Sequence, residues 1–369
     1  MDDHLLKNEE KAVFALRSLY RSYGYLPYKM SKFEEYDLYV RNKDFLVGDE
    51  ILTFTDTTGK LLALKPDVTL SIIKNGEDRD GCKQKVCYDE HVYRVSGSTH
   101  QFKEIMQTGI ECIGEIGVYD QYEVILLAAQ SLDRIAPDFV LEVSHLGVLA
   151  SLLDAFGVPD PTRRAVGRAI AAKAPHELRC VCAEAQLPDD QTEILIKLIG
   201  ISGAMDPMLD ALAPLCVCDG ARDAWAQLRA LSTLLAPSPL AGRIRLDFSV
   251  VNDLNYYSGL VFRGYLNGIC EGVLSGGQYD KLMRRMGRRS GAIGFALYLD
   301  LLEQLRPAPS APDVDVLVRY GADTPPEAVI RAVADCIQSG RTVRAERAVP
   351  DRLRYGALLD LTEGGNPHD

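Results

Sequence analysis

Three groups of residues in this chain have types and spacings that suit ligand chemistry. In the run 103–113, Gln107, Gly109 and Glu111 recur at steps of two. In a strand alternate side chains share a face, so an amide and a carboxylate flank a glycine and outline the floor of a small polar pocket. Met106, Thr108, Ile110 and Cys112 take the other face, fit for packing under helices. A helix would also bring Gln107 and Glu111 together, but Gly109 beside the β-branched Thr108 and Ile110 makes that the poorer reading. A sheet face turned to solvent has the same pattern and stands as the plain alternative. The second group is Lys65-Pro66-Asp67-Val68-Thr69: Pro66 breaks a strand, Thr69 suits the cap of a helix over Leu-Ser-Ile-Ile-Lys-Asn, and Asp67 reads as a solvated turn residue. The third is Tyr256 and Tyr257, which enter an apolar run, with Gly276 and Gly277 further on. Such a glycine pair lets backbone pass close to another segment or a small molecule, and it also suits an ordinary hairpin.

These residues need elements to place them. Apolar positions at three- and four-residue steps predict a helix over 9–23, stopped by Gly24. Two short strands, 51–56 and 60–65, flank the turn signal Thr57-Thr58-Gly59. A long helix starts near Tyr119, and a buried strand follows with His145 at its exit, where no cysteine or carboxylate stands at ligand spacing, so His145 is read as structural. Residues 151–237 shift to Ala- and Leu-rich helical patterns, and 243–251 return to β character. Beyond a proline-rich hinge at 306–312, the rest reads as strand, helix, strand and a further strand.

The chain has 369 residues, 47% of them hydrophobic, which is enough for two or three domains and a large core. No apolar run reaches the ~20 residues of a bilayer span, and the acidic start lacks the layout of an export signal, so a cytoplasmic location is expected. A net charge of -11 argues against a broad phosphate-binding surface, so nucleic acid is an unlikely partner. The local basic cluster of Lys281, Arg284, Arg285, Arg288 and Arg289 could meet an acidic partner or a phosphate, or be a solvated helix face. Nine scattered cysteines suit reduced thiols. The pairs Cys180/Cys182 and Cys216/Cys218 have a one-residue gap, outside the usual zinc spacing, and no metal is expected.

The segments Tyr-Tyr-Ser-Gly-Leu-Val-Phe, Ser-Gly-Gly-Gln-Tyr-Asp-Lys-Leu and Ala-Ile-Gly-Phe-Ala-Leu, in this order within 254–297, resemble the histidine-specific and third signature motifs of class II histidyl-tRNA synthetases. Residues 24–39 resemble the first signature motif, a helix and strand that build the family's dimer interface. Arg94, Gln107 and Glu111 match the arginine and the Gln-three-residues-Glu strand of the second. The similarity implies an α+β fold: an antiparallel sheet flanked by helices, formed by 1–150 and 238–306, with a helical insertion at 151–237 and a small, truncated α/β C-terminal domain at 313–369. Two departures stand out. The family's Arg-Gly-Leu-Asp run reads Asn252-Asp253-Leu254-Asn255 here, so the arginine that grips the amino-acid carboxylate is gone. The helix expected after Gly-Phe-Ala has Leu301 where an arginine would stack on adenine. Neither asparagine nor leucine replaces a guanidinium.

Both the kept and the lost features resemble the regulatory subunit of ATP phosphoribosyltransferase, a synthetase-like chain that aminoacylates nothing. That resemblance implies no catalytic residue and no cofactor. It implies partnership with the short catalytic subunit in the first step of histidine biosynthesis, self-association through the core, and histidine as feedback effector. By carry-over Asp67, Thr69 and Gln107 hold the histidine ammonium, and Glu111 with Tyr257 reads the imidazole nitrogens. Tyr256 lines the site, and Arg94, Gly276 and Gly277 belong to its wall. A divergent amino-acid-activating enzyme and a nucleic-acid-binding module on a dead synthetase core are the alternatives.

Overall fold

The computed structural model describes residues 8–42, 51–78, 81–95, 101–251, 257–305 and 312–362. The chain divides into two compact units, Met1–Leu305 and Arg306–Asp369. In the first, helix α1 (Asn8–Ser22) packs its apolar stripe against α4 (Val118–Ile135) and the sheet, with Leu16, Leu19 and Tyr20 buried. Strands β1 (Leu26–Pro27) and β2 (Phe33–Glu35) and helix α2 (Tyr36–Arg41) follow. Then come the hairpin β3 (Thr53–Thr55) and β4 (Leu61–Leu64), which pairs with β2, and helix α3 (Thr69–Asn75).

A nine-stranded sheet carries the unit. Its strands also include β5 (Gln84–Val95), β6 (Phe102–Gly114), β7 (Phe139–His145), β8 (Ser202–Ala204), β9 (Ile244–Asp247), β10 (Leu260–Leu266), β11 (Leu274–Gln278) and β12 (Gly291–Tyr298), in the order β1-β5-β6-β12-β11-β10-β7-β9-β8. The six strands from β5 to β7 are mutually antiparallel, as expected, while β1 runs parallel to β5 and β9 parallel to β7, so the sheet is mixed. Helices α5 (Leu146–Ala155), α6 (Asp160–Ala171), α7 (Pro175–Glu184), α8 (Asp189–Ile199), α9 (Met205–Leu212) and α10 (Asp219–Leu235) occupy the Ala- and Leu-rich stretch. Helical periodicity there hid β8, three residues that extend the sheet beyond β9. No helix among the described residues is long and apolar enough to cross a membrane.

The second unit holds β13 (Val314–Arg319), α12 (Pro326–Gln338), β14 (Val343–Glu346) and β15 (Tyr355–Asp360) in a parallel sheet of order β14-β13-β15. Helix α12 buries Cys336 against Val316 and Val318. This is the strand, helix, strand, strand order that the sequence predicts. Residues 306–311 of the proline-rich hinge lie outside the described residues.

Three sequence expectations change. Leu297 and Tyr298 belong to β12, not to a helix, and a 3-10 turn over Leu299–Gln304 follows, with Leu301 packed against the core. Thr69 does not cap its helix; the Asp67 carboxylate accepts from the Leu70 backbone N–H at 2.9 Å and does that work. Asp67 is therefore not a solvated turn residue.

His145 shows its role in the same way: its Nδ1 accepts from the Gly147 N–H at 3.1 Å at the start of α5. Burial holds its pKa down to about 4, so it stays neutral. Within the basic cluster only part is solvated. Arg288 and the Arg289 backbone N–H are tied to Asp78, and helix α11 (Asp280–Arg285) presents Arg285 to the Arg41 carbonyl. The thiols of the Cys180/Cys182 pair diverge, one exposed and one buried.

Candidate functional site

A cavity of about 780 Å³ opens on one face of the large sheet. The register explains where it lies. Arg263 of β10, Ser275 of β11, Ala296 of β12, Gly109 of β6 and Tyr88 of β5 stand side by side in one row across five strands. Three small residues in the middle make a trough, and two large side chains close its ends. In the next row Gly277, Gly294 and Glu111 are neighbours. A Cβ on Gly294 would fall 1.8 Å from Oε2 of Glu111 and 2.3 Å from the Ile110 carbonyl, so the carboxylate occupies the space that this glycine leaves.

Glu111 is 2% exposed, and its hydrogen bonds come from hydroxyls: Thr69 donates to Oε1 at 2.8 Å and Tyr279 to Oε2 at 2.5 Å. Burial dominates its titration and raises the pKa to about 8, with the two hydroxyl donors pulling against that and Asp67 adding to it. Asp67 is also shifted up, mainly by burial, while the Arg94 guanidinium pulls the other way. Arg94 donates to the Pro66 carbonyl at 2.8 Å and so braces the turn that carries Asp67. Gln107 is 2% exposed, and its Nε2 has no hydrogen-bond partner. A buried amide donor aimed at a cavity without a partner is costly, on the order of 1–3 kcal/mol, unless a ligand atom meets it.

Asp67, Thr69, Arg94, Gln107, Glu111 and Tyr257 thus come together on one cavity. Tyr256 lies outside the described residues, as does Asn252. The glycine pair sits differently from expectation. Gly276 points to the other face of the sheet, where a Cβ would meet the Phe262 and Phe295 side chains within 2.6 Å, so it serves core packing and does not line this cavity. Gly277 lies beneath the Tyr257 ring, where a Cβ would come within 2.6 Å of Cδ1. Its effect on the site is to let Tyr257 lie down.

The sequence reasoning passed over Tyr279, Tyr88, Tyr298 and Arg263, all of which line the cavity. Tyr279 stands inside the Ser-Gly-Gly-Gln-Tyr-Asp segment, so the signal was present there, and the phenol in hydrogen bond with Glu111 is this one. Tyr298 was hidden by the assignment of its stretch to a helix. Among the described residues no cluster of His, Cys, Asp and Glu could hold a metal.

The histidyl-tRNA synthetase family model matches residues 2–302. The ATP phosphoribosyltransferase regulatory subunit of Syntrophotalea carbinolica is 27% identical over 357 residues, covering 94% of this chain and 83% of that protein. The crystal structure of an ATP phosphoribosyltransferase regulatory subunit/histidyl-tRNA synthetase from Bacillus halodurans C superimposes with a TM-score of 0.75 at 21% identity, over 98% of this chain and 96% of that one. A chain of the ATP phosphoribosyl transferase (HisG:HisZ) complex from Thermotoga maritima matches with a TM-score of 0.61 at 20% identity, over 79% and 97%. The chain belongs to the histidyl-tRNA synthetase family and, within it, resembles the ATP phosphoribosyltransferase regulatory subunits.

Proposed function

We propose that this chain is the non-catalytic regulatory subunit of an ATP phosphoribosyltransferase, that it works with the short catalytic subunit in the first step of histidine biosynthesis, and that histidine bound in the sheet-face cavity is its feedback signal. The names of its relatives and the complex to which a structural neighbour belongs support the partnership. The observation that carries the ligand is the setting of Glu111, a buried carboxylate whose hydrogen bonds come from two neutral hydroxyls. Imidazole offers two hydrogen-bonding nitrogens at opposite edges and takes a proton near neutrality, so it can meet a carboxylate that itself titrates near pH 8. Asp67 and the Gln107 amide remain for the amino-acid end of the ligand.

Adenylation is not supported by this geometry. Leu301, where the resemblance would place an adenine-stacking arginine, packs into the apolar core. For feedback, histidine must favour one of two arrangements of the assembly, since equal affinity for both would shift nothing. Self-association through the core goes with this reading.

Calorimetric titration of the purified chain tests it. Histidine should bind and ATP should not, and Glu111→Ala should weaken histidine at least about tenfold, the loss of one charge-assisted contact. With the catalytic subunit added, histidine should inhibit the wild-type complex and spare the Glu111→Ala complex. Histidine- and ATP-dependent pyrophosphate exchange by the chain alone would overturn the proposal in favour of an amino-acid-activating enzyme.

A further inference from the structure

The sequence loses the family's carboxylate-gripping arginine at Asn252, yet the cavity is not without guanidinium groups. Among the described residues lining it there are two, Arg94 and Arg263. Arg94 lies at the turn that carries Asp67, donating to the Pro66 carbonyl with its charge acting on Asp67. Arg263 is placed differently. It stands on β10 at the end of the trough opposite Tyr88, in register with Ser275 and, through it, Ala296. Its stem lies against the Gly272 backbone, where a Cβ would fall 2.7 Å from Cδ and 2.8 Å from Cγ. Any side chain at position 272 would push the arginine out of its course, so the sequence Gly272 and the position of Arg263 belong together.

The Glu111 carboxylate rests over Gly294 on β12. From β12 to β10 is two strand spacings, about 10 Å. An arginine side chain and a small amino acid laid end to end span that distance, with Ser275 and Ala296 small enough to leave the floor open between them. A ligand whose imidazole meets Glu111 therefore points its other end along the trough toward Arg263. On the opposite side of β10, Arg263 pairs in register with Glu142, whose pKa is raised by burial and Asp247, with Lys173 and then Arg263 pulling the other way.

We propose that Arg263 is the carboxylate-binding residue of this cavity, taking over from a different strand the contact that the family's lost arginine makes. The proposal rests on histidine being the ligand. A planar guanidinium gives a carboxylate two parallel hydrogen bonds, which sets the orientation of the ligand as well as its affinity.

The test uses the full chain and two ligands, L-histidine and histamine, which differ by the carboxylate. Wild type should bind histidine about 10- to 100-fold tighter than histamine, the range of a charge-assisted bidentate contact. Arg263→Gln should lose that discrimination, weakening histidine by the same factor and leaving histamine within about threefold, and Arg263→Lys should keep part of it. Glu111→Gln should weaken both ligands alike. Equal affinity of wild type for the two ligands overturns the proposal, and that outcome needs no variant to fold. Undiminished discrimination in Arg263→Gln also overturns it, while leaving histidine in the cavity. Absence of histidine binding to wild type overturns the ligand assignment itself and Arg263 with it.

Discussion

The buried acids of the large sheet are treated in two ways. On the face covered by α4, Asp120 and Glu123 are almost wholly buried, and each holds a lysine ammonium of β5 or the residues just before it: Lys83 at 2.5 Å and Lys85 at 2.6 Å. Asp247 follows the same rule with Lys173 at 2.8 Å, and its pKa is lowered despite the upward pull of burial. On the cavity face Glu111 is as deeply buried, and its partners are neutral hydroxyls. A chain that pairs its structural carboxylates with lysine has left this one without such a partner. Burying an unpaired carboxylate is expensive, and the group avoids that expense by staying protonated, which raises its pKa. On the proposed reading, Glu111 is kept for a ligand that can bring the proton or the cation.

The comparison breaks most severely at Gly294. Gly294→Ala puts a methyl where the Glu111 carboxylate lies, and backbone on its other side prevents retreat. Histidine binding should fall beyond calorimetric detection, more than about 100-fold, and overpacking should cost about 1–3 kcal/mol in chemical denaturation. Retention of binding would show that the carboxylate is not where imidazole docks. Next come paired neutral substitutions. Glu123→Gln leaves Lys85 facing a partner without charge and puts an amide donor where one of the two acceptor oxygens stood, at a cost of about 3 kcal/mol. Glu111→Gln replaces a group already protonated near neutrality and should change stability at pH 7 by less than about 1 kcal/mol while losing histidine.

The same contrast has a pH signature of fixed sign. The folded Glu111 pKa of about 8 lies above the ordinary value of 4.5. Its contribution to stability is fully present below 4.5 and is lost as pH rises through about 8, because over that window the folded chain keeps a proton that the unfolded chain has released. Asp247 works the other way: its pKa is lowered, so its contribution is present above the unfolded value and is lost as pH falls. Denaturation midpoints between pH 5 and 9 should therefore decline on the alkaline side in wild type, and Glu111→Gln should flatten that decline. An unchanged slope in the variant would assign the titration to another group.

How much of this was legible beforehand depends on the kind of signal. Alternation over 103–113 gave the strand, its two faces and the meeting of Gln107 with Glu111, because a period of two leaves little freedom once one face is apolar. The antiparallel centre and the strand-helix-strand-strand tail were also legible. What stayed hidden depended on partners distant in sequence. The Tyr279 phenol reaches Glu111 across 168 residues, and no local pattern announces such a pair. Arg263 sits in the middle of an apolar strand, where its neighbour Gly272 on the far side of a turn fixes its course. Asp67 and Thr69 exchanged expected roles because both can cap a helix, and only the position of Glu111 decides that the threonine hydroxyl is wanted elsewhere.

The smallest effects separate the two phenols of the cavity. Tyr279 donates to Glu111 at 2.5 Å from a fully enclosed position, whereas Tyr257 lies over Gly277 and has its pKa raised chiefly by burial. Tyr279→Phe removes one of the two hydroxyls that favour the ionised form of Glu111, so the carboxyl pKa should climb further and histidine affinity should fall about tenfold. Tyr257→Phe keeps the ring that covers the trough and removes only its hydroxyl, for a loss of about threefold. Histidine titrations of the two variants at pH 7 and pH 9 give the check. The Tyr279→Phe deficit should be larger at pH 7, where its Glu111 is more firmly protonated, and should shrink toward pH 9, while the Tyr257→Phe deficit should stay constant. A larger loss in Tyr257→Phe than in Tyr279→Phe would move the imidazole from the floor of the trough to its cover.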